Sequence, residues 1–463
     1  MHISQRSMPR APRRAKVLLG VLAAGIVSTL ALAGCSAPGG STSSASSTLK
    51  DPITAPVTAA QVASEGKITL NVWADQGEQQ LMSVLVPIYE KKYPNVTLKI
   101  QFKSFNDWTA TILNAMNSSS APDVAQGNQG PQIDGALVKA GLIRPLNDVA
   151  KVYKYTEAAG AAIRQLEWTP DGKTFGSGNI YGLAPDNQMV GLFYNREMLK
   201  KLGATVPTTL PEFESVLAKA KAAGETPIVL GNSDKGSAAQ AFSAVQGAFS
   251  PAADTVNWVL GKSGSDFNTT TNREALELWA KWAQDGTISP GYNGVSPDDA
   301  AKNFAKGAGL FYIGGNWEAS NISDGSQFGF APAVSGAGNV AASNGSFGLP
   351  WHISSKSTHT LAAIAFVALI NEPQSAKYLE QVNRVPIATD DVTSADPMMT
   401  DLISATKKQL ANNGGLYFYD WSTPTMFNLF TSDMQEVMGG QLSATSMLQA
   451  VQSNWTSYHK TGK

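Results

Sequence analysis

The stretch KITLNVWADQGEQQLMSVLVPIYEKKYPNVTLKIQF, residues 67–102, decides the fold class. Ile68, Leu70 and Val72 alternate with Thr69 and Asn71, the period-two pattern of a half-buried strand. Leu81, Val84, Leu85 and Ile88 follow at helical spacing, with Pro87 predicting a kink. NVTLKIQF (95–102) alternates again. Two strands around a helix make a βαβ unit, which requires a right-handed crossover and a mostly parallel sheet.

The theme continues outward. Asn106 is placed to cap the helix DWTATILNAM, and APDVAQG (121–127) reads as a short strand with a polar exit. QIDGALVKAGLI is a helix closing on Gly141. Thr209 and Glu212 form a capping box before a helical face of Phe213, Val216, Leu217 and Ala220. TPIVLGN (226–232) is a strand, and 300–317 reads as helix, strand and turn. The last third carries three helical stripes: Leu361 to Leu369, Phe427 to Met438, and Met447 to Trp455. Their Met and Phe positions read as core. The class is α/β.

The amino end differs in kind. Arg6, Arg10, Arg13, Arg14 and Lys16 precede an uncharged apolar run, Val17 to Ala33, the layout of a secretory signal. Leu32-Ala33-Gly34-Cys35 resembles a bacterial lipobox, with cleavage before Cys35 and a lipid on its thiol. Arg13-Arg14 leaves a twin-arginine route open. Cys35 is the single cysteine, so it supports neither an intramolecular disulfide nor a cysteine-based metal centre. Residues 1–34 are thus expected to be a signal peptide. Residues 35–65, rich in Ser, Thr, Ala, Pro and Gly, are expected to be a flexible tether.

Cleavage leaves 429 residues, too many for one ordinary core, and points to two lobes. The precursor's 35 basic residues lose five, leaving 30 against 36 acidic. With no basic patch, nucleic acid is not an expected partner. The apolar run 361–370 is too short to span a bilayer.

The ordered landmarks resemble the extracellular solute-binding proteins of carbohydrate ABC importers. The resemblance is carried by the opening strand-helix-strand, APDVAQG, GLIRPLNDV, YGLAPDNQMVGLFYNREMLKKLGATVPTTLPEFESVLAKAK, GLFYIGGNWEASNI and LPWHISSKSTHTLAAIAFVALINEPQSAKYL, in family order from about residue 66 to 455. Two departures stand at Pro211-Glu212-Phe213 and at Gly348-Leu349-Pro350-Trp351. The resemblance implies a two-lobe, hinged, periplasmic-binding-protein-like fold with discontinuous lobes. Lobe one is expected at 66–186 plus 340–384, and lobe two at 187–339 plus 385–463. It also implies a carbohydrate held between them, ABC permease subunits as partners, a membrane attachment through Cys35, and a monomer outside the cytoplasm of a bacterium.

In open α/β sheets, ligands sit beyond the carboxyl ends of strands. The polar turns there nominate Gln76 and Glu78, Asn128 and Gln129, Asn187 and Gln188, Asn232 and Asp234, and Glu318. Amides and carboxylates suit hydroxyls that both donate and accept. Sugar rings also offer apolar faces that lie on aromatic rings. Trp317, directly after a strand, is the first stacking candidate; Trp351 with His352, and Trp421, follow. Trp258, Trp279 and Trp282 lie in helical patterns and read as packing. Arg384 reads as a hinge ion pair or a ligand contact.

Other chemistries lack their motifs. GKS at 261–263 has Val256 where a P-loop needs glycine. There is no G-x-S-x-G elbow, and the four histidines show no metal-ligand spacing. No metal, cofactor or catalytic residue is expected. Two rivals stay open: the same scaffold binding a non-sugar solute, and a secreted carbohydrate-active enzyme, whose two carboxylates need no motif.

Overall fold

β1 (Ile68–Asp75) buries Ile68, Leu70, Val72 and Ala74 and turns the intervening residues outward. It runs parallel to β2 (Val96–Lys103) and β3 (Val124–Gln126). The computed structural model describes residues 52–322, 324–336, 340–389 and 392–461. The expected signal peptide and Cys35 lie outside the described residues. Helix Gln79–Lys92 links β1 to β2 and continues through Pro87. Ser83, four residues before Pro87, lies on the exposed face, where solvent can satisfy the carbonyl that Pro87 cannot bond. The next helix, Phe105–Asn117, is capped by Ser104 and not by Asn106; the Ser104 hydroxyl accepts from Asp107 N at 3.2 Å.

Further strands are β4 (Asp186–Asn195), β5 (Ile228–Val229), β6 (Phe311–Gly315), β7 (Phe328–Pro332), β8 (Ser343–Phe347), β9 (Trp351–Ile353), β10 (Val385–Pro386) and β11 (Gly415–Leu416). The first sheet has the order β9-β3-β1-β2. The second runs β11-β8-β4-β6-β5, with β7 and β10 also bonded to β4. The parallel arrangement expected from the opening unit holds for β1 to β3. Around β4 it gives way: β6, β7, β8 and β10, which come from segments far along the chain, all pair with it antiparallel.

β4 is covered on both faces. Val190, Leu192 and Tyr194 enter one core, with Trp258, Trp279 and Trp282. Met189 and Phe193 enter another on the opposite face. The first sheet has its own core, crossed by helix Thr360–Asn371. That helix is buried from Ala362 to Asn371, on every side, where a single face was expected.

Two expected boundaries move. β8 pairs with β4, so residues 343–347 belong to the second sheet and not with lobe one. The chain returns to the first sheet over Gly348–Pro350, before β9 pairs antiparallel with β3. The expected tether also ends early. Thr58 and Gln61 form a capping box on helix Ala59–Ser64, and Val57 and Val62 are buried in the first core. Ile53 N donates to Asp148 and Val57 N to the Tyr153 hydroxyl, at 2.9 and 2.8 Å. Low charge suggested a linker there, but two valines and a cap suffice to dock it.

Candidate functional site

Turns after β1, β2 and β3 face turns after β5 and β6 and the end of β8 across a cavity of about 630 Å³. Strand ends of both sheets thus converge on one cleft, as the α/β rule requires. Asp75 opens the turn after β1, accepting from Gly77 N at 2.8 Å. That turn presents Gln76 to the cleft and buries Glu78. After β3, Asn128 donates to Asp420 at 2.8 Å and accepts from the Trp421 indole at 3.2 Å. Gln129 donates to the carbonyls of Phe347 and Gly348.

From the second sheet come Gln188, Asp234, Trp317 and Glu318. Asp234 accepts from the Ser237 hydroxyl at 2.8 Å, and its carbonyl accepts from Asn106 Nδ2 at 3.0 Å across the cleft. Trp317 is half-buried, with its ring 6.4 Å from Phe418. Arg384 lines the cleft and joins Glu78 at 2.6 and 2.9 Å to Asp186 at 2.8 Å, the ion pair being one of the two roles expected of it. Burial works against its charge, but Asp186 and Glu78 outweigh that and hold its pKa above the ordinary arginine value. Gly348 lies over this triad; a Cβ there would meet Asp186 Oδ1 at 2.2 Å.

Four nominated residues are not on the cleft. Trp351 is buried in the first core, 6.0 Å from Phe366, because β9 is a strand paired with β3 and not a turn. His352 is buried on the same strand, 3.0 Å from Asp134 and 2.8 Å from the Tyr181 carbonyl. Its ring fills the space a side chain at Gly127 would need, so it supports the turn bearing Asn128 and Gln129 from behind. Asn187 donates to the carbonyls of Pro386 and Ile387 in the sheet. Asn232 caps the following helix, accepting from Ala238 N and donating to Asn293.

Sequence reasoning missed other lining groups: Phe105, Asn106, Asp298, Phe418 and Asp420. Phe427, read as core, also faces the cleft, its ring 6.1 Å from Phe105. Asp75 begins the polar turn 75–78 that supplied Gln76 and Glu78, and Asp420 adjoins Trp421, so widening that nomination by one position would have found it. Asp298 and Phe427 lie in helical patterns with no local mark.

The carboxyl groups here are perturbed. Burial pushes Asp75 up to about 6, helped by Glu78 and Asp298. Burial pushes Glu318 up to about 7, with Asp298 and Asp234 adding to it. Asp420 is pushed up to about 6 by burial, and Asp234 is raised for the same reason. Among the described residues no group of three His, Cys, Asp or Glu side chains could hold a metal ion.

A cleft of this volume between two sheets, walled by rings and uncharged amides as well as acids, defines a two-lobe binding protein. The family model described as bacterial extracellular solute-binding protein matches residues 85–433, and the chain belongs to that family. It is 24% identical over 258 residues to an uncharacterized ABC transporter extracellular-binding protein of Pyrococcus horikoshii, covering 52% of each chain. It is thus aligned with about half the length of that relative. It is 22% identical over 342 residues to the multiple sugar-binding protein of Streptococcus mutans, covering 71% of this chain and 77% of the other. Among solved structures, a chitin oligosaccharide binding protein superposes with a TM-score of 0.72 at 19% identity, over 85% of this chain and 99% of that one. The GacH receptor of Streptomyces glaucescens, solved unliganded and with acarbose, gives 0.67 at 19% identity, over 85% and 99%. These likenesses establish the two-lobe fold. No helix among the described residues is long and apolar enough to cross a membrane.

Proposed function

We propose that this protein captures a mono- or oligosaccharide between its lobes and delivers it to the permease of an ABC importer, as a monomer tethered outside the cell through a lipid on Cys35. It acts as a binding protein and not as an enzyme. One observation carries the reading: the cleft combines the rings of Trp317, Phe418 and Trp421 with the side chains of Gln76, Asn128, Gln129, Gln188, Asp234 and Glu318. Flat apolar faces beside donors and acceptors match the two surfaces of a sugar. The named ligands of similar proteins, among them raffinose and chitin oligosaccharide, support it. The lobes would be the two sheets with their cores, closing about the three crossovers near Asp186, Gly348 and Arg384.

A thermal-shift screen against mono- and oligosaccharides tests this. A bound sugar is expected to raise the midpoint and to be recovered unchanged. Turnover of the sugar would make the protein an enzyme, and a shift with non-sugar solutes alone would assign the scaffold to another ligand. Mass spectrometry of the membrane fraction should find an amino-terminal diacylglyceryl cysteine, absent in Cys35→Ser.

A further inference from the structure

The cleft's charges do not balance. Its lining carries Asp75, Glu78, Asp234, Asp298, Glu318 and Asp420 against Lys302 and Arg384. Arg384 is already engaged by Glu78 and by Asp186 beneath the floor. Lys302 is exposed and makes no ion pair among the described residues. Arg384 acts on Asp75 and Lys302 on Glu318 from a distance, but none of Asp75, Asp234, Asp298, Glu318 and Asp420 forms an ion pair among the described residues, and five carboxyl groups share those two cations. Asp298 is within electrostatic reach of both Asp75, from the first sheet, and Glu318, from the second. Glu318 is the sharpest case. It is only 4% exposed and opens on the cleft, and the single hydrogen bond to its carboxylate among the described residues is from Asn321 to Oε2. The oxygen Oε1 is left for something that enters.

A neutral sugar would supply hydroxyl donors but no charge. Closing the cleft on it would desolvate the carboxylates further while they still repel one another. A metal ion does not fit, because the acids stand around the cavity without converging as a metal site would. A cation carried on a bulkier molecule meets both demands. Its charge offsets carboxylates on both sides, and its body fills the volume between Trp317, Phe418 and Trp421, whose ring faces also attract cations. We propose that the ligand is a saccharide bearing a positively charged amino group, held between Glu318, Asp298 and Asp75. This rests on the sugar-binding reading above and narrows it.

Titration calorimetry on the full chain tests it, using glucosamine and galactosamine with their β-linked dimers, the same sugars N-acetylated, and their hydroxyl parents, at pH 7 and pH 5. The amino forms are expected to bind at least tenfold tighter than the acetylated ones at pH 7. Acidification completes protonation of the ligand's amine and leaves Lys302 and Arg384 charged, but it neutralises Asp75, Glu318 and Asp420, so the advantage should shrink at pH 5. Glu318→Gln should reduce the amino-to-acetyl ratio several-fold. Asp298→Asn, at a half-exposed position, should do so with less risk to folding. Neutral sugars binding as tightly as the amino forms, or more tightly at pH 5, would overturn the amine and leave the sugar reading standing. Binding of spermidine with no saccharide bound would overturn both.

Discussion

Burial, with Asp298 and Asp234 nearby, gives Glu318 a proton affinity near pH 7, whereas in the unfolded chain it titrates near pH 4. The folded state therefore holds that proton more firmly. Below pH 4 both states are protonated and the group is neutral to stability. As pH rises from about 4 to 7 the unfolded chain ionises first, and stability falls by roughly 3 kcal/mol. Glu318→Gln, which keeps an acceptor for Asn321, should raise stability toward urea at pH 8 by up to about 3 kcal/mol and leave it unchanged at pH 4. An equal effect at both pH values would mean that the carboxylate is not held in the disfavoured charged form. Trp317→Ala should weaken sugar binding about tenfold or more, as expected for removing a stacking face; calorimetric affinities equal to the parent's would remove Trp317 from the site. Local pattern put Trp317 and Glu318 on the cleft lining because they follow a buried strand. It misplaced Trp351 and His352 for a nonlocal reason: their segment looks like a turn after glycine, but its pairing partner, β3, lies more than two hundred residues earlier in the chain.

At the scale of elements, the opening βαβ unit and the capping box at Thr209 formed where the pattern placed them, since each is decided within one turn or one strand. β4 shows the limit. Its residues 186–195 are buried almost continuously, so alternation is absent, and which core each side enters depends on four strands from elsewhere. The segment before β1 shows a different failure, in which composition outweighed a short motif. Thr58 and Gln61 cap the helix, while Val57 before the cap and Val62 inside it both reach the core, as in a hydrophobic staple. Val62→Ala should cost about 2 kcal/mol, in the range for truncating a buried aliphatic side chain. Urea unfolding of residues 35–463 measures this. A change within 0.5 kcal/mol, the size typical of surface substitutions, would return the segment to the tether.

At the scale of the whole molecule, the chain passes between the sheets near Asp186, at Gly348–Pro350 and at Arg384, and these points meet. Gly348 N donates to the Asp186 carbonyl at 2.9 Å, and Arg384 ties Asp186 to Glu78 in the turn after β1. A buried triad of this kind adds little net stability over an apolar replacement, because three groups must be desolvated to make it. Breaking it is another matter. Arg384→Met would leave Glu78 and Asp186 buried without their cation, at a cost of about 3–5 kcal/mol. The further changes Glu78→Gln and Asp186→Asn should restore most of that loss, since the stranded charges are what the single substitution exposes. Urea denaturation of the single and triple variants separates these outcomes. If the triple variant were as unstable as the single one, Arg384 would act through packing instead of charge. If the triple variant recovered stability but its scattering radius no longer fell on adding sugar, the triad would be serving closure: a charged joint at the crossovers that lets the sheets bend toward one another along one path.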